Sequence, residues 1–260
     1  MGLDARKMTL FDCHVNANST QQQNIRKYCA QARQQGLDGF CLTEPVVFSK
    51  SESTIKLPQF PAKEHSDLEI LTGLEIEFTP ETHTSMALRT AGLNPDYIIN
   101  AVHSADGLSL RDMEYYTSQS RTDAYSNYLT CVFDSLDAAF EYSVLGHITY
   151  VSKYAYYPSP ALEWREFPDI LDNILMRTVF MGKGLELNAS AYASEKLLMP
   201  SLSVLKRYRE LGGEILTFGS GAHSYLHVGA HMHDMCEAAI SCGFKYYTVF
   251  KKMRPQMYLL

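Results

Sequence analysis

Residues 11–19 read FDCHVNANS. Apolar residues Met8, Leu10 and Phe11 lead into Asp12, and His14 follows two positions later. A second histidine two positions on would make D-x-H-x-H, a pattern that aims two imidazoles at one ion; the chain has Asn16 there. This join between an apolar run and a polar turn recurs. Short apolar runs stand at 8–13, 39–43, 68–78, 97–103, 143–147, 184–188 and 213–220. Helix-like segments lie between them at 20–35, 84–92, 123–142, 168–182, 200–211 and 230–242. Pro168 and Pro200 suit a first helical turn, and Gly36, Gly182 and Gly212 suit C-terminal stops. Strand–helix alternation repeated about seven times implies an α/β fold with a parallel sheet, closed as a barrel or open and doubly wound.

A chain of 260 residues, 46% hydrophobic and 20% charged, suits one large α/β domain over residues 1–260. A formal net charge of −6 argues against a nucleic-acid surface, and the cationic group Lys251, Lys252 and Arg254 reads as a solvated face. No stretch approaches the roughly 18 apolar residues of a membrane span, and the first ten residues carry no apolar leader segment. Six scattered cysteines without a C-x-x-C pair read as reduced thiols, so a cytoplasmic protein acting on a small molecule is expected. The stretches 44–66 and 104–122 are long enough to be functional loops over one face.

The polar residues fall at particular places. His14 follows the first run, Glu75 lies in the third, His103 ends the fourth, His147 ends the fifth, Asn188 ends the sixth and His223 follows the seventh. In a parallel barrel the C-terminal strand ends converge on one mouth, where sites of this architecture are built. A lone histidine at a strand end is more often a hydrogen-bonded structural residue. Donors at successive strand ends point instead to a metal or catalytic site, with nitrogen and oxygen ligands suited to Zn, Mn or Fe. His65, His83, His227, His231 and His233 lack this placement. His231 and His233 are two apart on an expected helix and face different directions.

The segments resemble the PHP (polymerase and histidinol phosphatase) superfamily, and within it the histidinol-phosphate phosphatases. DCHVNANS resembles the family's D-x-H-x-H opening, GLDGFCLTEP a segment that ends T-D/E-H, and ILTGLEIEF a G-x-E segment. DYIINAVHS, SVLGHITYVSKY, GKGLELNAS and RELGGEILTFGSGAHSYLHVG are similar to the later motifs, the last normally reading G-S-D-A-H, and the tail GFKYYTVFKKMRP is also family-like. The resemblance implies a distorted, TIM-like (β/α)7 barrel with divalent metals at the C-terminal mouth. It implies that His14 ligates a first metal, that Glu75 bridges two metals, that His103 and His147 complete the second site, and that His223 belongs to a third.

The departures from that pattern fall at the ligand positions. Asn16 replaces the second histidine, Pro45 the histidine of T-E-H, and Gly221 the aspartate of S-D-A-H; Gln22 stands at another third-metal position. Fewer than three ions are therefore expected, with one held by Glu75, His103 and His147. Lys153 lies where many histidinol phosphatases have a phosphate-binding arginine. Asn188 and Ser190 are candidates for hydrogen bonds to substrate, and Asp12 for orienting a histidine. Three functions stay open: a phosphatase with a depleted metal site, a divergent enzyme with a non-phosphate substrate, and a catalytically silent binding protein.

Overall fold

The computed structural model describes residues 8–16, 25–47, 54–59 and 67–260. In chain order the strands are β1 (Phe11–Asn16), β2 (Gly39–Val46), β3 (Glu69–Glu77), β4 (Tyr97–Ala101), β5 (Ser104–Ala105), β6 (Leu108–Ser109), β7 (Val144–Leu145), β8 (Gly184–Ala191), β9 (Leu197–Met199), β10 (Leu216–Gly219), β11 (Tyr246–Lys251) and β12 (Arg254–Leu259). The helices are α1 (Ile25–Gln34), α2 (His83–Thr90), α3 (Met113–Thr117), α4 (Arg121–Ser135), α5 (Pro168–Phe180), α6 (Tyr192–Glu195), α7 (Leu202–Glu210) and α8 (Met232–Ser241).

The seven apolar runs become seven parallel strands, curled in the order β1-β2-β3-β4-β7-β8-β10. Strands buried on both faces read as continuous apolar runs, because helices cover one side and the barrel interior the other. All six residues of β1 are buried. This is an α/β, distorted TIM-like barrel.

Closure takes place at a seam between β1 and β10. At the C-terminal mouth the two strands meet directly through a Val15–Ala222 bridge, with Asn16 N–H donating to the Ala222 carbonyl (2.8 Å) and Gly221 N–H to that of His14 (3.0 Å). Deeper in the barrel the antiparallel hairpin β11–β12 fills the gap. The Tyr247 hydroxyl accepts from Phe11 N–H (3.1 Å) and donates to the Thr9 carbonyl (2.9 Å), while the Thr248 hydroxyl accepts from Leu216 N–H (3.3 Å). The Tyr247 ring lies flat on Phe218 of β10, with centroids 4.9 Å apart and planes 2° from parallel.

The sequence expectations differ from the structure in three places. The expected helix 123–142 stops at Ser135, because Leu136, Phe140 and Tyr142 leave the helical path to enter the core. Pro200 stands one residue ahead of Ser201, the cap of α7, rather than in its first turn. The stretch 104–122 is not a plain loop but holds the hairpin β5–β6 and α3. Of the stretch 44–66, residues 48–53 and 60–66 lie outside the described part.

Phe218→Ala is expected to cost about 3–5 kcal/mol, as buried aromatic truncations do, and Tyr247→Phe about 1–2 kcal/mol for two backbone groups left without their phenolic partner. Urea denaturation of the two variants checks both the size and the ranking.

Candidate metal centre

Alternation along the strands decides what enters the barrel. Residues two apart share a face, as Glu75 and Glu77 do on β3 and Glu186, Asn188 and Ser190 on β8. In β1 the register against β2 shifts between Asp12 and Val15, and Asp12 meets Ser220 and Gly229 while His14 and Asn16 meet Glu75 and His223. His103 lies two residues beyond β4, His147 two beyond β7 and His223 in the loop beyond β10.

These side chains meet around Glu75. Its Oε1 stands 3.1 Å from His147 Nε2 and 3.5 Å from His103 Nε2, and its Oε2 is 3.4 Å from His14 Nε2. One ligand atom each from Glu75, His103 and His147 lies within 4.8 Å of the others, the one such group of three among the described residues. Donors on a tetrahedral ion with bonds of roughly 2.0–2.2 Å stand about 3.3 Å apart, so this set fits a divalent cation with an open fourth position. Two further features fit it. His147 Nε2 donates to Glu75 Oε1 (3.1 Å), and its buried Nδ1, which has no hydrogen-bond partner, is where that proton would move to free Nε2 for a cation. Burial pushes His103 down to about 3, outweighing the pull of Glu75, so its ring is a neutral ligand at ordinary pH.

His14 is gripped from both sides. Its Nδ1 stands 2.6 Å from Glu186 Oε1, and its Nε2 faces Glu75. Burial opposes charge on His14, but the Glu186 and Glu75 carboxylates raise it well above the ordinary histidine value. Burial likewise disfavours the Glu75 carboxylate, yet His14 and the hydrogen bonds from His14 and His147 hold it well below the usual range. Glu186 went unnoticed in the sequence. The signal was there: in E-x-N-x-S on β8, Glu186 stands two residues before Asn188, on the same face of the strand.

Asn16 Nδ2 lies 3.4 Å from His14 Nε2 and 3.5 Å from His223 Nε2, while its Oδ1 is buried without a hydrogen-bond partner. His223 sits at the exposed rim, outside the group of three. Pro45 is registered opposite Glu75 of β3, two residues beyond Thr43, the last β2 residue paired to β1 among the described residues. Gly221 has φ +62°, and a Cβ on it would stand 2.7 Å from Ser190 Cβ. Gln22 lies outside the described residues.

Asp12 does not orient a histidine ring. Its carboxylate accepts N–H groups from His14 (3.2 Å), Ser220 (2.9 Å) and Gly229 (2.8 Å), and the Ser220 hydroxyl (2.5 Å), tying together the two ends of the seam. Asn188 is buried and engaged at both ends, donating to Glu186 Oε1 (3.1 Å) and accepting from Ser190 N–H (2.9 Å). Lys153 Nζ donates to Ser190 Oγ (2.9 Å) and lies 5.6 Å from the Tyr150 ring centroid. Tyr150 packs on His103 at 4.6 Å and on His147 at 5.0 Å, and its hydroxyl accepts from Arg111 Nε (3.3 Å). Arg111, contributed by the stretch 104–122, and Lys153 both act electrostatically on Glu75.

Residues 12–190 match the PHP domain family model. The chain belongs to the PHP domain family. It is 24% identical over 257 residues to a probable histidinol-phosphatase of Clostridium acetobutylicum, covering 96% of this chain and 99% of that protein. It is also 24% identical to the histidinol-phosphatase of Lactococcus lactis subsp. lactis, covering 94% of each chain. A crystal structure of histidinol phosphate phosphatase from Lactococcus lactis, complexed with zinc, L-histidinol and phosphate, superposes with a TM-score of 0.78 at 21% identity, covering 96% of this chain and all of that one. The shared fold is thus that of the PHP barrel.

Gly221→Asp, which restores the family's acid, is expected to destabilise this chain by about 1–3 kcal/mol, the strain of a side chain at a left-handed position. Chemical denaturation measures it; a neutral or stabilising result would contradict the crowding by Ser190.

Proposed function

We propose that this PHP protein is a metal-dependent phosphoesterase of the histidinol-phosphatase type, releasing an alcohol and phosphate from a small phosphate monoester. The observation that carries this reading is one site with two opposite features. Glu75, His103 and His147 form a set of donors for a divalent ion, and Arg111 and Lys153 stand around it as fixed positive charges. The similarity to histidinol-phosphatases along nearly the whole chain supports the same reading.

Phosphoryl transfer depends on position and charge more than on covalent help from the protein. A bound divalent ion supplies Lewis acidity, which polarises a phosphoryl oxygen and acidifies coordinated water. Lys153 brings a compact ammonium to the mouth, and burial lowers its pKa, so its charge is poorly hydrated and available to an anion. Arg111, whose Nε is already committed to the Tyr150 hydroxyl, is held in one direction and can turn its remaining N–H groups toward phosphate oxygens. The Tyr150 ring covers His103 and His147 from above and excludes water from that side.

Protein purified and loaded with zinc or manganese is expected to retain about one ion per chain, given one three-donor set, and to hydrolyse histidinol phosphate in preference to an aryl phosphate. Chelation removes the activity, and His147→Ala lowers kcat by roughly 100-fold or more. Elemental analysis and a phosphate-release assay check both; a chain that holds no ion and releases no phosphate from either ester refutes the proposal. Lys153→Met is expected to lower kcat/KM by roughly 10–100-fold, the loss of one hydrogen bond to a charged group, with metal content unchanged.

A further inference from the structure

The geometry points to Glu186 as the positioning residue of the metal centre, a carboxylate that sets the ring of His14 and the backbone of His147 together. This rests on the proposed metal site but concerns a residue outside the ligand set.

Glu186 is fully buried inside β8, yet each of its oxygens is engaged. Oε1 receives His14 Nδ1 at 2.6 Å and Asn188 Nδ2 at 3.1 Å; Oε2 receives the backbone N–H of His147 at 3.1 Å. One side chain on the sixth barrel strand therefore ties the first strand to the loop after the fifth. Both connected residues then turn an Nε2 atom toward Glu75.

Two local facts indicate that the contact is built rather than incidental. Gly219, facing Glu186 from β10, has no side chain, and a Cβ there would lie 2.4 Å from Glu186 Oε1 and 2.6 Å from His14 Cβ. His147 has φ +30°, a backbone conformation that a non-glycine residue keeps only when its surroundings impose it. Its N–H bond to Glu186 is such an imposition.

The chemical consequence is a fixed proton position. A carboxylate at 2.6 Å from Nδ1 requires the proton on Nδ1, whether the ring is neutral or charged. In the neutral ring Nε2 is then a lone-pair donor facing Glu75 and any cation it holds. Removing the carboxylate removes that bias: the proton moves to Nε2, where Glu75 Oε2 accepts it, and the ring presents N–H to the site.

Glu186→Gln keeps the shape and loses the charge. Histidine imidazole ¹⁵N–¹H correlation spectra of metal-free protein should show protons on both ring nitrogens of His14 in the parent chain, and in the variant the Nε2 proton alone. Zinc affinity, measured by chelator competition, should fall about 10–100-fold, the typical loss for an outer-shell partner of a ligand. Glu186→Asp, with its carboxylate drawn back by one methylene, should keep the Nδ1 proton and lie between the two in affinity. An absent Nδ1 proton in the parent chain overturns the inference without any variant having to fold. So does a Glu186→Gln protein with unchanged proton position, whatever its zinc affinity. A parent chain that binds no zinc refutes the metal-centre proposal, and the proton position still decides the role of Glu186.

Discussion

Two carboxylates, Glu75 and Glu186, stand in the mouth of the barrel with almost no access to water. Burying unpaired charge costs far more than a domain's net stability can supply, so such groups persist only when paired. The partners are supplied by the ends of different strands. His14 lies between the two carboxylates, with one ring nitrogen toward each; His103 and His147 approach Glu75 from the other side. The barrel holds that geometry because Asp12 fixes the seam between β1 and β10 at the level of the site.

Much of this was legible in the sequence, for a physical reason. Strands of a parallel barrel are buried on both faces, so each announces itself as an apolar run, and the residues that end the run are the ones that reach the mouth. His103 and His147 stand out because histidine is unusual beside such runs. Glu186 did not, because it stands in the middle of the run GLELN, whose end is marked by Asn188. Closure was legible through the family resemblance and not from the strand pattern itself. The choice between a barrel and an open sheet depends on what fills the gap between β1 and β10, and that is done by Tyr247 and Thr248, more than 230 residues from β1. Arg111 escaped notice because nothing local in a polar loop tells which of its charges turns toward the site.

The substitutions at the family's ligand positions are accommodated by the local backbone rather than left as gaps. Proline at 45 lies two residues past the last described pair with β1, and glycine at 221 takes a left-handed turn where a Cβ would press against Ser190. Ser190 in turn accepts the Lys153 ammonium. A carboxylate at 221 would have to occupy the space where Ser190 now stands. The loss of one donor is thus linked to the placement of a fixed cation.

Charge balance carries this one step further. The two buried carboxylates supply two negative charges, and without a metal the His14 proton offsets only part of them. On the proposed reading, a divalent ion at Glu75 would repel the proton on His14, so binding and proton release would be coupled. A second or third divalent ion would add to the field of Arg111 and Lys153. On the proposed reading, lysine and arginine take the place of further cations and are left to meet the anion that a single ion attracts.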